Sequence, residues 1–155
     1  MRLGVTTDTY DAEGQIVPSV DPSVDPSVDP LEVDRAEVEA ALARFRGTIE
    51  QVPPMYSALK HKGKPLHRLA RQGIEVKREP RQIVISQLEL TAWDPPECTL
   101  EMTCSPGTYV RALAHDLGQA LGCGAHLTGL VRLASGRFRL EDATRFEDAH
   151  TVLAA

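Results

Sequence analysis

The stretch from Pro95 to Leu121 constrains the fold more than any other. Pro95-Pro96 breaks the chain, and residues 98–104 then alternate without exception. Cys98, Leu100, Met102 and Cys104 fall on one side, and Thr99, Glu101 and Thr103 on the other. A period of two predicts a strand with one face on a core. Ser105-Pro106-Gly107 is turn chemistry. The period then changes: Val110, Leu113, Ala114, Leu117 and Leu121 recur at helical spacing, which predicts a helix over 108–121, ended by Gly122 or Gly124. A strand that turns directly into an amphipathic helix requires a sheet for that helix to lie on.

The remaining elements arrange themselves around this unit. Residues 2–7 read as a short strand, followed by a turn region at Asp8, Asp11 and Gly14. Asp34 and Glu37 have capping-box spacing and predict a helix from about Arg35 to Arg46, with Val38, Leu42 and Phe45 on one face and Gly47 as the stop. Residues 48–64 read as irregular. Pro65 suits the first turn of a short helix, Leu66 to Gln72, ended by Gly73. Arg81 to Leu90 reads as a strand, with Ile83, Ile85 and then Gln87 opposite Val84 and Leu88. Leu127 to Phe138 alternates loosely as strands with bends at Gly129 and Gly136, and Glu141 to Ala155 reads as a frayed helix. Strands and helices do not alternate as βαβ units. The predicted class is α+β, a mixed and mainly antiparallel sheet with flanking helices.

Residues 19–30 are three tandem Ser-Val-Asp-Pro units. Proline at every fourth position removes backbone donors, and a period of four is too short for a solenoid. The reading is an extended surface loop, a tolerated expansion rather than an interaction tether.

The 155 residues fit one domain, and 42% hydrophobic with 25% charged residues excludes wholesale disorder. No apolar run is long enough for a membrane helix, and the polar start predicts no secretory leader. Three cysteines without a CxxC suggest neither a disulfide framework nor a zinc site, so a reducing cytoplasm is the expected home. The histidines lack HxH or HxxxH spacing, so no metal is expected. Cys104, on the apolar side of its strand, is expected to be an inert buried thiol. The net charge of -5 conceals a division: -8 over residues 1–43, +7 over 44–82 and -4 over 83–155. A basic block within an acidic chain points to a local anionic partner, with nucleic acid the first candidate.

Two segments can carry chemistry. In Ser105-Pro106-Gly107-Thr108-Tyr109-Val110-Arg111, a helix N-terminus presents a phenol and a guanidinium, which suits an anion and a planar ligand. The structural alternative pairs Arg111 with a carboxylate and buries Tyr109. In residues 51–73, Lys60, Lys62, Lys64, Arg68 and Arg71 interleave with Tyr56 and His67 on a Gly- and Pro-punctuated backbone. That pattern suits RNA, whose phosphates need cations and whose bases stack on rings. The alternative is a solvated surface loop.

Four stretches together resemble the TruB-type bacterial tRNA pseudouridine-55 synthases. They are Leu3-Gly4 with Thr7-Asp8-Thr9-Tyr10-Asp11-Ala12-Glu13-Gly14; Phe45-Arg46-Gly47 with 49–60 and on to Val76; Cys104-Ser105 with 107–111 and Asp116-Leu117-Gly118; and 121–127 with Leu130-Val131-Arg132-Leu133. The resemblance implies a pseudouridine synthase-like sheet, with an RNA-gripping thumb over 46–76 and an active-site helix and strand over 104–133. It implies isomerisation of a T-loop uridine in tRNA without cofactor or metal, on a base flipped out of the loop. It places Arg111 beside the catalytic aspartate, Tyr109 beside the base and Leu130 packed around it. Met55, Tyr56, Ser57, Lys60, Lys64, Arg68 and Arg71 become the RNA contacts.

The departure lies in the nucleophile. The family carries its aspartate in a Gly-x-Leu-Asp-Pro-type motif, and no such motif occurs in these residues. Asp8 and Asp11 match another family segment, and the Asp-Pro pairs of the repeat lack the context. The family's base-stacking tyrosine motif is also absent. The resemblance therefore implies that the sequence is the C-terminal part of a catalytic domain. Alone it is expected to be inactive and to expose strand edges and apolar surface; the alternatives are one half of a split synthase, completed by a missing N-terminal half, and a non-catalytic RNA-binding remnant.

Overall fold

The computed structural model describes residues 1–18 and 22–144. Its centre is a five-stranded sheet with spatial order β2-β5-β6-β1-β7, formed by β1 (Arg2–Leu3), β2 (Gly47–Gln51), β5 (Arg81–Asp94), β6 (Glu97–Cys104) and β7 (Ala125–His126). The pairings within this sheet are antiparallel. Two helices, α1 (Arg35–Ala43) and α3 (Val110–Ala120), pack on it. A hairpin of β3 (Lys60–His61) and β4 (Lys64–Pro65), then α2 (Leu66–Ala70), stands outside the sheet. A second hairpin pairs β8 (Ala134–Ser135) with β9 (Phe138–Arg139). The class is α+β, as the sequence predicts.

The β5–β6 pair is the spine. Pro95 and Pro96 form its tight connection, and Asp94 pairs with Glu97. The strand predicted to end at Leu90 runs on to Asp94. The predicted facing also changes within it. Ile83 and Ile85 are buried as expected, but so are Leu88 and Leu90. The register slips between Ile85 and Gln87, a bulge at Ser86, so the side-chain parity inverts and Leu88 joins Ile85 on the core face.

On β6, Cys98 is buried and Leu100 and Met102 pack against the core, but Cys104 is exposed. The strand climbs out of the core toward its C-terminal end, so the expectation of a buried Cys104 thiol is corrected.

Helix α1 begins at the predicted capping box. Glu37 N–H donates to Asp34 Oδ1 at 2.7 Å, and Asp34 N–H donates to Glu37 Oε2 at 2.8 Å. The reciprocal pair satisfies two main-chain donors. Val38 and Leu42 are fully buried, and Phe45 packs at the core edge. Helix α3 supplies Leu113, Ala114 and Leu117 to the same core, where Leu3, Ile85 and Leu88 meet them. Each such side chain withdrawn from water stabilises the fold by roughly 2 kcal/mol before entropy is subtracted. Gly118 lets α3 approach β7: a Cβ there would overlap Ala125 N and Gly124 C, and would lie 2.6 Å from the Ala125 Cβ.

Several expectations are corrected. Residues 48–51, read as irregular, belong to β2 and pair with 81–84 of β5. Thr48 and Gln51 carry too little apolar pattern to reveal a strand that only β5 specifies. The first strand ends at Leu3 rather than Thr7, with a single further bridge from Thr7 to Ile16. The described part of the Ser-Val-Asp-Pro stretch, 22–30, is not extended. It turns at Asp25, whose Oδ1 takes both Ser27 N–H and Oγ–H, and Asp25 N–H reaches Gly122 O at 2.8 Å. Val28 packs against the core. In place of the strands predicted over 127–138 stands an irregular run to Leu133, and then β8 and β9. Leu130, Val131, Leu133, Phe138 and Leu140 are all exposed along it. Most of the helix predicted over 141–155 lies outside the described residues. Among the described residues no helix is long and apolar enough to cross a membrane.

Candidate active site

The strand–turn–helix unit builds one wall. At the end of β6 the turn is tied to β5 on both sides: Ser105 N–H donates to Val84 O at 2.8 Å, and Val84 N–H to Ser105 Oγ at 2.9 Å. Gly107, at φ +86°, reverses the chain in a conformation that side chains other than glycine resist. Thr108 Oγ–H closes the turn on Ser105 O at 2.9 Å. Tyr109 is the N-cap of α3 but offers no side-chain cap, so its ring is free to face the cavity.

Arg111, in the first turn, reaches across to two other segments. It donates to Tyr56 O at 2.7 Å and to Thr9 O at 3.3 Å. Tyr56 in turn donates its phenol to Asp8 Oδ2 at 3.2 Å, while Gln15 N–H holds Asp8 Oδ1 at 2.8 Å. Burial, reinforced by Asp8, pushes the Tyr56 phenol above its ordinary pKa. One guanidinium thus joins the basic loop, the N-terminal turn and α3.

Beside the start of α3 and the N-terminal turn an open cleft of about 270 Å³ is lined by Asp11, Tyr109, Arg111, Leu127, Leu130 and Arg132. The sequence brought Tyr109, Arg111 and Leu130 together by resemblance, and all three do border one space. Leu130 is 59% exposed, an apolar flank rather than a buried one. The carboxylate lining the cavity is Asp11. An aromatic ring, two guanidinium groups and apolar flanks can accept a planar heterocycle with an anionic backbone at its rim.

Behind the cavity the Tyr10 ring stacks on His115, with centroids 3.8 Å apart and planes 9° from parallel. Tyr10 sits at φ +63° and its carbonyl accepts Leu127 N–H at 3.0 Å. Burial raises the Tyr10 phenol, and the neighbouring Arg78 partly offsets it. Arg78 also donates to Pro53 O at 3.3 Å. Neither Tyr10 nor Arg78 stands out in the sequence, because each works through a contact tens of residues away.

The predicted RNA contacts divide. Lys60, Lys64, Arg68 and Arg71 are exposed on the hairpin and α2. Met55 and Tyr56 are half-buried. Ser57 is only 5% exposed; its carbonyl accepts His67 N–H at 3.0 Å, and its hydroxyl is buried without a hydrogen-bond partner among the described residues. Gln51 opens the segment 51–73 that the sequence marks, but its own role is not legible there. At the end of β2, just before the loop, it is 2% exposed; its Oε1 accepts Tyr109 N–H at 2.8 Å and its Nε2 donates to Tyr109 O at 3.1 Å. No local pattern marks it, since the partners are 58 residues apart.

With this geometry in place, comparison with known proteins gives a consistent result. Residues 1–110 match the family model for the TruB family pseudouridylate synthase N-terminal domain, and residues 111–155 match that of the tRNA pseudouridylate synthase B C-terminal domain. The chain belongs to the TruB family of pseudouridylate synthases. It is 51% identical over 152 residues to the tRNA pseudouridine synthase B of Chromobacterium violaceum, covering 98% of this chain and 47% of that protein. To the protein of the same name from Burkholderia lata it is 54% identical over 147 residues, covering 95% and 43%. The chain therefore spans about half the length of the curated relatives it matches. A crystal structure of a Cbf5-Nop10-Gar1 complex aligns with 63% of this chain and 24% of that one, at 27% identity and a TM-score of 0.48.

Proposed function

We propose that this chain supplies the RNA-gripping and base-holding part of a tRNA pseudouridine synthase acting on a uridine of the T-loop. The observation that carries the reading is the convergence of Tyr109, Arg111 and Leu130 on one cavity, with Arg111 bonded to Tyr56 O in the basic loop. Residues 52–76, which leave the sheet after β2, act as the thumb, and 104–133 as the active-site helix and flank. Lys60, Lys64, Arg68 and Arg71 neutralise phosphates. The Tyr109 ring lies against the flipped base, Leu130 covers its edge, and Arg111 holds a catalytic carboxylate in its charged form. No cofactor or metal takes part, and the work is done in the cytoplasm.

The reaction breaks the N1–C1′ glycosidic bond and joins C5 to C1′; the hydrogen on C5 is released to water and N1 takes up a proton in exchange. An aspartate nucleophile starts it. That aspartate comes from a Gly-x-Leu-Asp-Pro segment outside these 155 residues, so the chain alone does not turn over. The exposed apolar run at Val131, Leu133, Phe138 and Leu140 supports a complementing half, because surface of that kind is stabilised by cover.

The test is tritium release from tRNA labelled at uridine C5, with this chain alone and with a supplied N-terminal half of a family member. Release only in the mixture supports the reading. Release by the chain alone makes the missing-nucleophile reading wrong and directs attention to Asp11, the carboxylate in the cavity. Binding without release in either arm favours a second reading, a non-catalytic RNA-binding remnant, for which the exposed basic block speaks.

A further inference from the structure

We infer that Gln51 is a positioning residue: its buried amide sets the main chain of Tyr109, and so the aim of the Tyr109 ring and the Arg111 guanidinium into the cavity. The inference rests on the function proposed above for those two side chains. Helix N-caps favour Ser, Thr, Asp or Asn, which bond the helix start themselves. Here the N-cap is a tyrosine that makes no such bond. Its N–H is instead held from a neighbouring strand, at 2.8 Å, by the Gln51 side chain, which also donates at 3.1 Å to the Tyr109 carbonyl that accepts Leu113 N–H within the helix. Moving this task to Gln51 leaves the cap position able to carry an aromatic ring into the site.

The bond pair demands a carboxamide. It needs one acceptor and one donor, side by side and uncharged, in a place closed to water. Gln51 does not line the cavity, so it acts through Tyr109 and not on the reacting atoms. It is also the last residue of β2, paired with Arg81, and the basic loop starts at the next residue. The same side chain therefore fixes the base of the loop and the start of α3. Arg111, bonded to Tyr56 O, closes the connection from the other side.

The test uses the 155-residue chain with Gln51→Met and Gln51→Glu. Hydrogen exchange is read by NMR at the Tyr109 amide, with the β5–β6 amides as reference. Gln51→Met keeps the volume and loses both bonds, and Tyr109 exchange is expected to rise about tenfold to thirtyfold while β5–β6 protection holds. Gln51→Glu is the second variant. As a protonated acid it restores donor and acceptor; as a carboxylate it faces the Tyr109 carbonyl. Burial favours the protonated form, so exchange is expected to match wild type near pH 5 and Gln51→Met near about pH 8. Unchanged Tyr109 exchange in Gln51→Met, or loss spread evenly over the sheet, overturns the inference. If Gln51→Met does not fold, the pH dependence of Gln51→Glu decides it, and a flat profile is fatal.

In the two-part tritium assay, Gln51→Met should lower kcat about tenfold with KM for tRNA within about twofold. A loss confined to KM also overturns the inference. If the wild-type mixture shows no release, the proposed function fails, and Tyr109 exchange alone decides the role of Gln51.

Discussion

Replacing Gly118 by Ala probes how α3 is seated, and the outcome can be worked from the structure. In an isolated helix the change is favourable by about 1 kcal/mol, because alanine loses less entropy than glycine. Here the new Cβ meets Ala125 N and Gly124 C well inside van der Waals contact, and lies 2.6 Å from the Ala125 Cβ. These are main-chain atoms and a Cβ, and no rotamer change removes them. Relief requires α3 to withdraw from β7, which loosens Leu113 and Leu117 in the core. Overpacking of a close-packed interior costs about 1–3 kcal/mol, and a main-chain obstruction puts this site at or above the upper end. The net is a loss of about 2 kcal/mol, a fall in Tm of about 4–8 °C for a chain of this size. Thermal and urea unfolding followed by far-UV circular dichroism measure it. Gly129→Ala is the control: nothing lies within 4 Å of its added Cβ, and a change within about 0.5 kcal/mol is expected. A Gly118→Ala protein that melts at or above wild type would refute the close seating of α3 on β7.

Further expectations concern other parts of the molecule. Asp34→Ala removes one half of the capping box and should destabilise the chain by about 1 kcal/mol, read as a lower urea midpoint at unchanged m-value. Neutralising Lys60, Lys64, Arg68 and Arg71 together should weaken tRNA binding and flatten the dependence of log Kd on log salt; an unchanged slope would mark these residues as a solvated face. Burial pushes the Cys98 and Cys123 thiols up, so the neutral thiols are the forms the fold holds. Their contribution is complete below the ordinary thiol pKa and is lost as pH rises through and beyond it. At neutral pH iodoacetamide should modify the exposed Cys104 first, as peptide mapping would show, and equal labelling of all three would contradict the burial.

Much of the fold follows from local pattern. The period of two over 98–104, the helical spacing from Val110 to Leu121 and the Asp34–Glu37 pair each specify an element through neighbours in sequence, and each forms as read. The motif residues Tyr109, Arg111 and Leu130 were legible through family resemblance, and the structure sets them around one cavity. What the sequence left open depends on partners distant along the chain. The bulge at Ser86, which returns Leu88 to the core face, arises from pairing with β6. Strand β2 exists because β5 lies beside it. Arg111 carries no sign of the Tyr56 and Thr9 carbonyls it binds, nor Gln51 of the Tyr109 main chain it brackets. Periodicity records which face of an element avoids water, and that choice is local. Register, parity across a bulge and the choice of hydrogen-bond partner are set only when separate segments meet, and in this protein the candidate site is assembled from such meetings.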